Sequence, residues 1–476
     1  MVINKKKLER QLEGVHKWFN SKEYGAIKNC RGTLNYFTGV GKTYTAILII
    51  KRLFRTYDTH NFVILVPSEF LIKQWQVELS KTFSKKELIQ INVYTPHYVI
   101  NNDLKVKTNT LIVDEFHEYY GDEFYKTVNG EYIQFDNNLA LTATYEEPRQ
   151  RHKKASSLYP IIDKISEIEA LKESYISPYV EYNLSVKLTS EEQYAYDDAT
   201  KLVTKHINKF GKHGLELAQK CISGGKHQNG KHYDAVKFVY GWAGYNGWRK
   251  DLDLSDPRQN EINELWNPRA IFGYAQTLFA SIRKRKNVLY NAKNKVYTCI
   301  NLIERFPNLK AIIFSQSTAF ADSINLALNN NDFKSVVYHS QLKTELRPSP
   351  KTGKLVKFGK VRLKRLALES IKSGESKIIC TASTLDKGFD VQDIVLGITA
   401  SGTSSFNQKK QRGGRVKRID VLNPNKKALL INLYVKNTKD EAWLKKSQST
   451  STNFINWVDD IENINFSNNY FKEEDL

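Results

Sequence analysis

The stretch NYFTGVGKTYTAILIIKRL, Asn35 to Leu53, decides how this chain is read. In its core, Thr38-Gly39-Val40-Gly41-Lys42-Thr43, two glycines let backbone N–H groups turn inward toward phosphate oxygens. The apolar periodicity from Ala46 to Leu53 makes the following residues a helix, whose positive end adds to an anion site. Lys42 is spaced to reach β- and γ-phosphates and Thr43 to ligate Mg²⁺, so ATP with magnesium is the expected cofactor pair. Tyr36 stands where the general phosphate-loop pattern begins with glycine, so the loop needs companions to be convincing.

The first companion is TLIVDEFH, an apolar strand that ends in Asp114 and Glu115. A helix N-cap would also welcome an acid there. Behind GVGKT the two acids read better as a Mg²⁺ holder, Asp114, and a polariser of the attacking water, Glu115. The second companion is QRGGRVKR, Gln411 to Arg418, with Arg415 and Arg418 three apart on one side of a helical turn. Planar guanidinium groups suit a γ-phosphate whose charge shifts during transfer, which sets ATP between two domains. A solvated basic helix touching a nucleic-acid backbone is the other reading of the same residues.

Short apolar runs recur along the chain: NFVILVPS, TLIVDE, NLALTAT, AIIFSQS, KIICTAS, IVLGITAS and KALLINLY. Their continuous hydrophobicity predicts strands buried on both faces, as in parallel α/β sheets. Ligands gather beyond the carboxyl ends of such strands. Between about residues 185 and 296 the pattern changes to helical spacing, dense aromatics and frequent lysine. The expected organisation is an α/β domain over 1–185, a helical insert over 186–295 and a second α/β domain over 296–476.

With 476 residues the chain is too long for one core. Lysine and arginine number 72 against 51 acids, a net charge of +21, and the sequence pI is near 9.4. That excess fits a polyanionic partner. No apolar run is long enough to span a membrane and no signal-peptide h-region follows the N-terminus, so a soluble protein inside the cell is expected. Cys30, Cys221, Cys299 and Cys380 lie far apart, which fits reduced thiols. Cys221, His227 and His232 read as chance neighbours in a glycine-rich loop rather than a metal site.

In their order, GVGKT, VPSEFLIKQW, DEFH, LTAT, IIFSQS, TLDKGFDV and QRGGRVKR resemble superfamily-2 helicases and translocases of the DExH type. The PSxxLxxQW and LTAT forms resemble the XPB-type and phage UvsW-type branch-migration helicases. The resemblance implies two RecA-like domains and an ATP-driven motor that binds DNA without sequence preference and remodels forks, junctions or D-loops. It implies a monomer on DNA in the cytoplasm or nucleoid of a bacterial host, with a phage origin. It also implies that Gln11 contacts adenine and that Gln411 belongs to the catalytic set with Lys42, Asp114, Glu115, Arg415 and Arg418. Gly388 and Asp390 would contact nucleotide from the second domain, beside Thr38 to Thr43 from the first. His117, Thr142 and Thr144 would couple the ATP and nucleic-acid sites. Pro67, Ser68, Thr95, His339, Ser340 and Thr384 match backbone-contacting positions. Lys387 stands where many relatives have glutamate. An RNA helicase, a DNA-binding scaffold without turnover and a restriction-system motor remain as alternatives.

Two basic regions are peculiar to this chain. LRPSPKTGKLVKFGKVRLKR, Leu346 to Arg365, has a turn-rich start and reads as a hairpin-like loop touching DNA or as a charged surface loop. The insert offers Trp242, Tyr245 and Trp248, with Arg283 to Lys286, as stacking or core aromatics with a basic run.

Overall fold

In the computed structural model, residues 5–466 are described apart from 147–149, 209, 211–213, 228–267, 349–352, 383–390, 392, 403, 421 and 449–454. These residues form two compact units, one made of the chain up to Ser185 together with the chain from Cys299, the other of Val186–Thr298.

The first unit contains two parallel sheets. The first has six strands: β1 (Arg31–Tyr36), β2 (Phe62–Leu65), β3 (Ile91–Tyr94), β4 (Val106–Asp114), β5 (Ile133–Thr142) and β6 (Ile161–Ile165), in the order β3-β2-β4-β5-β1-β6. All of β2 is buried, as are the last five residues of β4 and of β5, which is why these strands read as unbroken apolar runs. Helix α1 (Lys5–Phe19) lies against β1 and β6, α2 (Lys42–Thr56) follows β1, and α3 (Glu69–Ser80) follows β2. Leu34, Ile49, Ile50, Phe62, Ile64, Trp75 and Leu139 share one core on the α2 and α3 side. Each fully buried Leu or Ile side chain contributes roughly 1.5–3 kcal/mol. A second core, with Leu65, Val113, Phe116, Tyr119 and Tyr159, covers the other face.

The chain leaves the first sheet after β6. Strand β7 (Tyr179–Val186), all but its last residue within the span expected for the first domain, belongs to the second sheet. That sheet adds β8 (Ala311–Ser315), β9 (Ser335–Tyr338), β12 (Ile378–Ala382), β13 (Leu396–Thr399), β14 (Ala428–Val435) and β15 (Ile455–Val458), in the order β15-β7-β14-β13-β8-β12-β9. Two kinds of contact hold β7 there: Tyr179 shares a core with Ile312, Phe314 and Leu430, and Asn432 on β14 donates to Glu181 at 2.7 Å and to Asn183 at 3.0 Å, all three buried. A separate hairpin, β10 (Glu345–Pro348) and β11 (Leu355–Phe358), follows β9. Two parallel-sheet α/β domains are therefore present.

In the second unit, α4 (Ser190–Asn208), α5 (Gly214–His227) and α6 (Pro268–Tyr290) enclose a core of Val203, Phe210, Ala218, Cys221, Ala275 and Leu278. Cys221 thus serves as a buried apolar residue. Arg283 to Lys286 lie on α6, where Lys284 pairs with Asp198 at 2.9 Å; Trp242, Tyr245, Trp248 and His232 lie outside the described residues.

Candidate active site

The loop between β1 and α2 turns on two glycines in the left-handed region, Gly39 at φ 97° and Gly41 at φ 103°. Its conformation disfavours any side chain at Gly41, and a Cβ there would also sit 2.4 Å from the Gln11 amide nitrogen, so Gln11 would have to shift. Gln11 is buried and donates to the Val40 carbonyl at 2.8 Å, while the Lys7 ammonium donates to the Gly39 carbonyl at 2.8 Å. Residues from α1 therefore hold the loop from behind. Helix α2 begins at Lys42 with Thr43 in its first turn, and Gly41 supplies no capping side chain, so the helix end faces the loop with backbone donors. The Lys42 ammonium rests 3.4 Å from the Tyr36 carbonyl.

Tyr36 itself is a core post. Its hydroxyl donates to Asp163 at 2.6 Å, and Asp163 also accepts from Arg10 at 2.6 and 3.0 Å and from Lys17 at 2.9 Å. The ring fills the place against α1 where Gly14 leaves room; a Cβ on Gly14 would meet the hydroxyl at 1.9 Å. An aromatic stands where the phosphate-loop pattern has glycine because this position points into the sheet–helix core.

Asp114 ends β4, fully enclosed. It accepts from the Trp75 indole N–H at 2.9 Å and from the Glu115 backbone N–H at 2.9 Å. Burial, then the neighbouring Glu115 carboxylate, push the Asp114 carboxyl up to about 6; the Trp75 bond and Lys42 act in the opposite direction. Glu115 takes a left-handed backbone at φ 48°, a strained choice for glutamate that turns the chain sharply after the strand. His117 lies 3.6 Å from Glu115 and 3.1 Å from the Thr142 hydroxyl. Thr142 donates to the Thr144 carbonyl and accepts from the Thr144 N–H, both at 3.1 Å. DEFH and LTAT are thus joined by a continuous polar chain.

Helix α8 (Phe406–Val416), from the second domain, lies directly on this loop. A Cβ on Gly414 would come within 2.4 Å of Thr38 Cγ2, and the Arg418 side chain passes within 3.9 Å of a Cβ built on Gly39. Burial, and then Arg418, lower the Lys7 ammonium to about 8. Arg415 is buried in the last turn of the helix, beside Gly414. The expectation that Arg415 and Arg418 share one helical turn needs correction, because α8 ends at Val416. Beyond it the carbonyls of Lys417 and Arg418 accept from the N–H and hydroxyl of Ser177, at 2.8 and 3.0 Å, and these bonds draw the chain off the helix axis. Gln411 lies on α8.

Several residues that sequence reasoning did not single out complete the arrangement. The Lys410 ammonium donates to the Ala143 carbonyl at 2.6 Å and lies 4.9 Å from the centre of the Phe37 ring, so it spans LTAT and the start of the phosphate loop. Burial lowers Lys410 to about 8; Glu167 opposes that, while Lys42, Lys417 and Lys164 add to it. Lys417 pairs with Glu167 at 2.6 Å and lies 3.4 Å from the centre of the Tyr179 ring. Burial alone would lower its pKa, but Glu167 and Tyr179 outweigh burial and raise it. Arg412 is a support, donating to the carbonyls of Ser401 and Ser315 at 3.1 and 3.2 Å. In a chain so rich in lysine, nothing local marks Lys410 or Lys417. Only for Trp75 was there a signal, the QW pair after PSEFL.

The remaining candidates separate by position. Pro67, Ser68 and Thr95 follow the carboxyl ends of β2 and β3, and His339 and Ser340 follow β9. Thr95 caps a short helix through the Tyr98 N–H at 3.2 Å. The Ser68 hydroxyl is buried with no hydrogen-bond partner among the described residues. His339 is turned inward to Asp322 at 2.8 Å, whereas Ser340 is exposed. Thr384, Lys387, Gly388 and Asp390 lie outside the described residues. Among the described residues no group of three or more His, Cys, Asp or Glu is placed to hold a metal, and no helix is long and apolar enough to cross a membrane.

Residues 4–147 match the family described as type III restriction enzyme, res subunit, and residues 294–420 match the helicase conserved C-terminal domain. The DNA 3'-5' translocase XPB2 of Sulfurisphaera tokodaii is 25% identical over 445 residues, covering 90% of this chain and 82% of that protein. The crystal structure of the Pyrococcus furiosus Hef helicase domain aligns with a TM-score of 0.49 at 17% identity, over 91% of this chain and 98% of that one.

Proposed function

We propose that this chain, a superfamily-2 helicase by its two family matches, is an ATP-driven motor that moves on DNA without sequence preference and remodels branched DNA. The observation that carries the proposal is the seat of α8 on the phosphate loop, with Gly414 against Thr38 and Lys410 on Ala143. The DNA-translocase name of the 25% identical relative and the net charge of +21 support DNA as the track.

In this reading Gln11 releases the Val40 carbonyl to select adenine, Thr38 to Thr43 cradle the phosphates and Lys42 moves from the Tyr36 carbonyl to the β/γ oxygens. Gly388 and Asp390 add contacts from the second domain. The donor set suits magnesium: a buried carboxyl, lifted partly by its acidic neighbour, is relieved by a divalent cation, and Thr43 supplies a hydroxyl. Bound there with ATP, the ion would neutralise phosphate charge. Glu115 accepts a proton from the water whose oxygen attacks the γ-phosphorus while the bond to the β–γ bridging oxygen breaks. Arg415 and Arg418, with Gln411, stabilise the charge that moves onto the leaving phosphate oxygens.

Loss of the γ-phosphate removes what holds these arginines, so α8 is freed from Thr38. The path from Glu115 through His117, Thr142 and Thr144 carries that change toward the strand ends bearing Pro67, Ser68 and Thr95. Opposite them His339, Ser340 and Thr384 act for the second domain, and alternating grip gives stepping. His339 would act through its backbone, because its ring is committed to Asp322.

The test is ATP hydrolysis with single-stranded, duplex, forked and four-way DNA and with RNA, at two salt concentrations. Forked or four-way DNA is expected to stimulate most, with affinity falling steeply as salt rises. Strongest stimulation by RNA would replace DNA as the track, and no stimulation by any nucleic acid would refute the motor. Glu115→Gln is expected to bind ATP and lose hydrolysis.

A further inference from the structure

The hairpin β10–β11 has two unlike faces. Its register pairs Glu345 with Phe358, Leu346 with Lys357, Arg347 with Val356 and Pro348 with Leu355. Directly paired residues share a face, so Glu345, Arg347, Val356 and Phe358 lie on one side. That side is anchored at Phe358, which is buried with the Arg362 guanidinium 3.7 Å from its ring centre; further out Arg347 and Glu345 are exposed and pair with each other at 2.6 Å. The other side carries Leu346, Pro348, Leu355 and Lys357, all exposed, with Leu346 at 62% and Leu355 at 65%.

Two leucines and a proline side by side form a small apolar strip open to water, and the surrounding charge indicates what it suits. From Gln341 to Arg365 the sequence has nine lysines and arginines and one acid, Glu345, which Arg347 already neutralises. Lys343, Lys354, Lys357 and Lys360 are exposed around the apolar strip. Helix α7 (Lys360–Ser373) opens without an acid in its first turn. A polyanion with flat apolar faces meets both demands, and an acidic protein surface meets only the first. The hairpin also starts five residues after Ser340, one of the positions assigned to the second domain's grip.

We propose that this hairpin seats against a nucleic-acid junction: Leu346, Pro348 and Leu355 cover the exposed face of the last base pair, while Lys343, Lys354, Lys357 and Lys360 hold the flanking phosphates. Apolar wedges of this kind displace water from a base face while neighbouring cations keep the strand in register. The assignment rests on the motor reading above and adds to it a site that prefers junctions over single strands.

The experiment compares equilibrium binding, by fluorescence anisotropy, of a forked duplex and of its single strand, with 2-aminopurine in the terminal pair of the fork. Leu346→Ala with Leu355→Ala removes only exposed side chains. It is expected to hold single-strand affinity within about twofold, lower the fork preference about tenfold and abolish the 2-aminopurine change. Lys354→Glu with Lys357→Glu is expected to weaken binding and reduce the slope of log K against log salt by about two. Unchanged fork preference and fluorescence in the leucine variant overturn the proposal, and the motor reading survives if single-stranded DNA still stimulates hydrolysis. A wild-type mass in sedimentation twice that of the leucine variant, with equal fork binding, assigns the strip to a second copy instead and also overturns it. A wild-type protein that binds no nucleic acid removes the motor reading and this site together.

Discussion

Replacing Gly414 with alanine separates the proposed closure of α8 on the phosphate loop from the stability of the fold. The added Cβ would lie 2.4 Å from Thr38 Cγ2 and 2.6 Å from Thr38 Cβ. Ordinary contact requires roughly 3.5–4.0 Å, so α8 must back away by about an ångström. Rotating the Thr38 side chain cannot help, since its Cβ is fixed to the loop backbone. Overpacking of this kind costs about 1–3 kcal/mol, charged here against the closed arrangement alone. At 1.36 kcal/mol per factor of ten, that is between about fivefold and 150-fold in the population of closed enzyme. In the proposed mechanism, displacement of Arg415, the next residue on the helix, adds to the loss, because a 1 Å error in a group acting on the transition state costs on the order of 10²-fold. Fold stability has the opposite sign: Gly414 is within a helix, where alanine is favoured by up to about 1 kcal/mol. The assay pairs DNA-stimulated hydrolysis with thermal melting. A fall in kcat of at least about tenfold at an unchanged or higher Tm is expected. Wild-type turnover in Gly414→Ala would mean that the Thr38 contact is absent from the working state, and the reasoning would fail.

Three further outcomes follow from the same geometry. The Lys410 ammonium donates a charge-assisted bond to Ala143 that a neutral amine makes only weakly, and its pKa is lowered to about 8, so turnover is expected to decline as pH rises through 8. Lys410→Arg should move that limb to higher pH, whereas an unshifted limb would assign it elsewhere. For stability the sign reverses. The unfolded lysine titrates near 10.5 and binds more protons between 8 and 10.5, so the folded state gains with rising pH across that window, as melting against pH would show. Trp75→Phe removes the indole donor from Asp114, at a cost of about 1.5–3 kcal/mol for a bond to a charged group. A higher magnesium requirement for hydrolysis and a lower Tm are expected; an unaltered magnesium titration would refute the role given to Trp75. Tyr36→Phe leaves Asp163 its bonds from Arg10 and Lys17. It should cost about 1.5–3 kcal/mol in denaturant melts, as for a bond to a charged group, and spare ATP affinity. Lost ATP affinity at full stability would make Tyr36 part of the phosphate site after all.

The seven apolar runs read from the chain correspond to β2, β4, β5, β8, β12, β13 and β14, the strands buried deepest in the two sheets. Burial on both faces writes an uninterrupted apolar signature, so composition alone reveals such strands. The phosphate loop, the paired acids and the arginine segment are equally local, because each chemistry requires particular residue types at a fixed spacing. The short strands β3, β9 and β15 are only partly covered and left no such run. Strand β7 is held in the second sheet in part by Glu181 and Asn183 meeting Asn432 about 250 residues away, a pairing no window of sequence contains. Likewise Tyr36 gains its meaning from Asp163, Asp114 its raised pKa from enclosure beside Glu115 with Trp75 as partner, and Lys410 its place from Ala143. Local spacing determined which groups are present; which of them meet, and at what protonation, was decided by long-range packing, because desolvation and hydrogen bonding depend on neighbours that only the folded chain supplies.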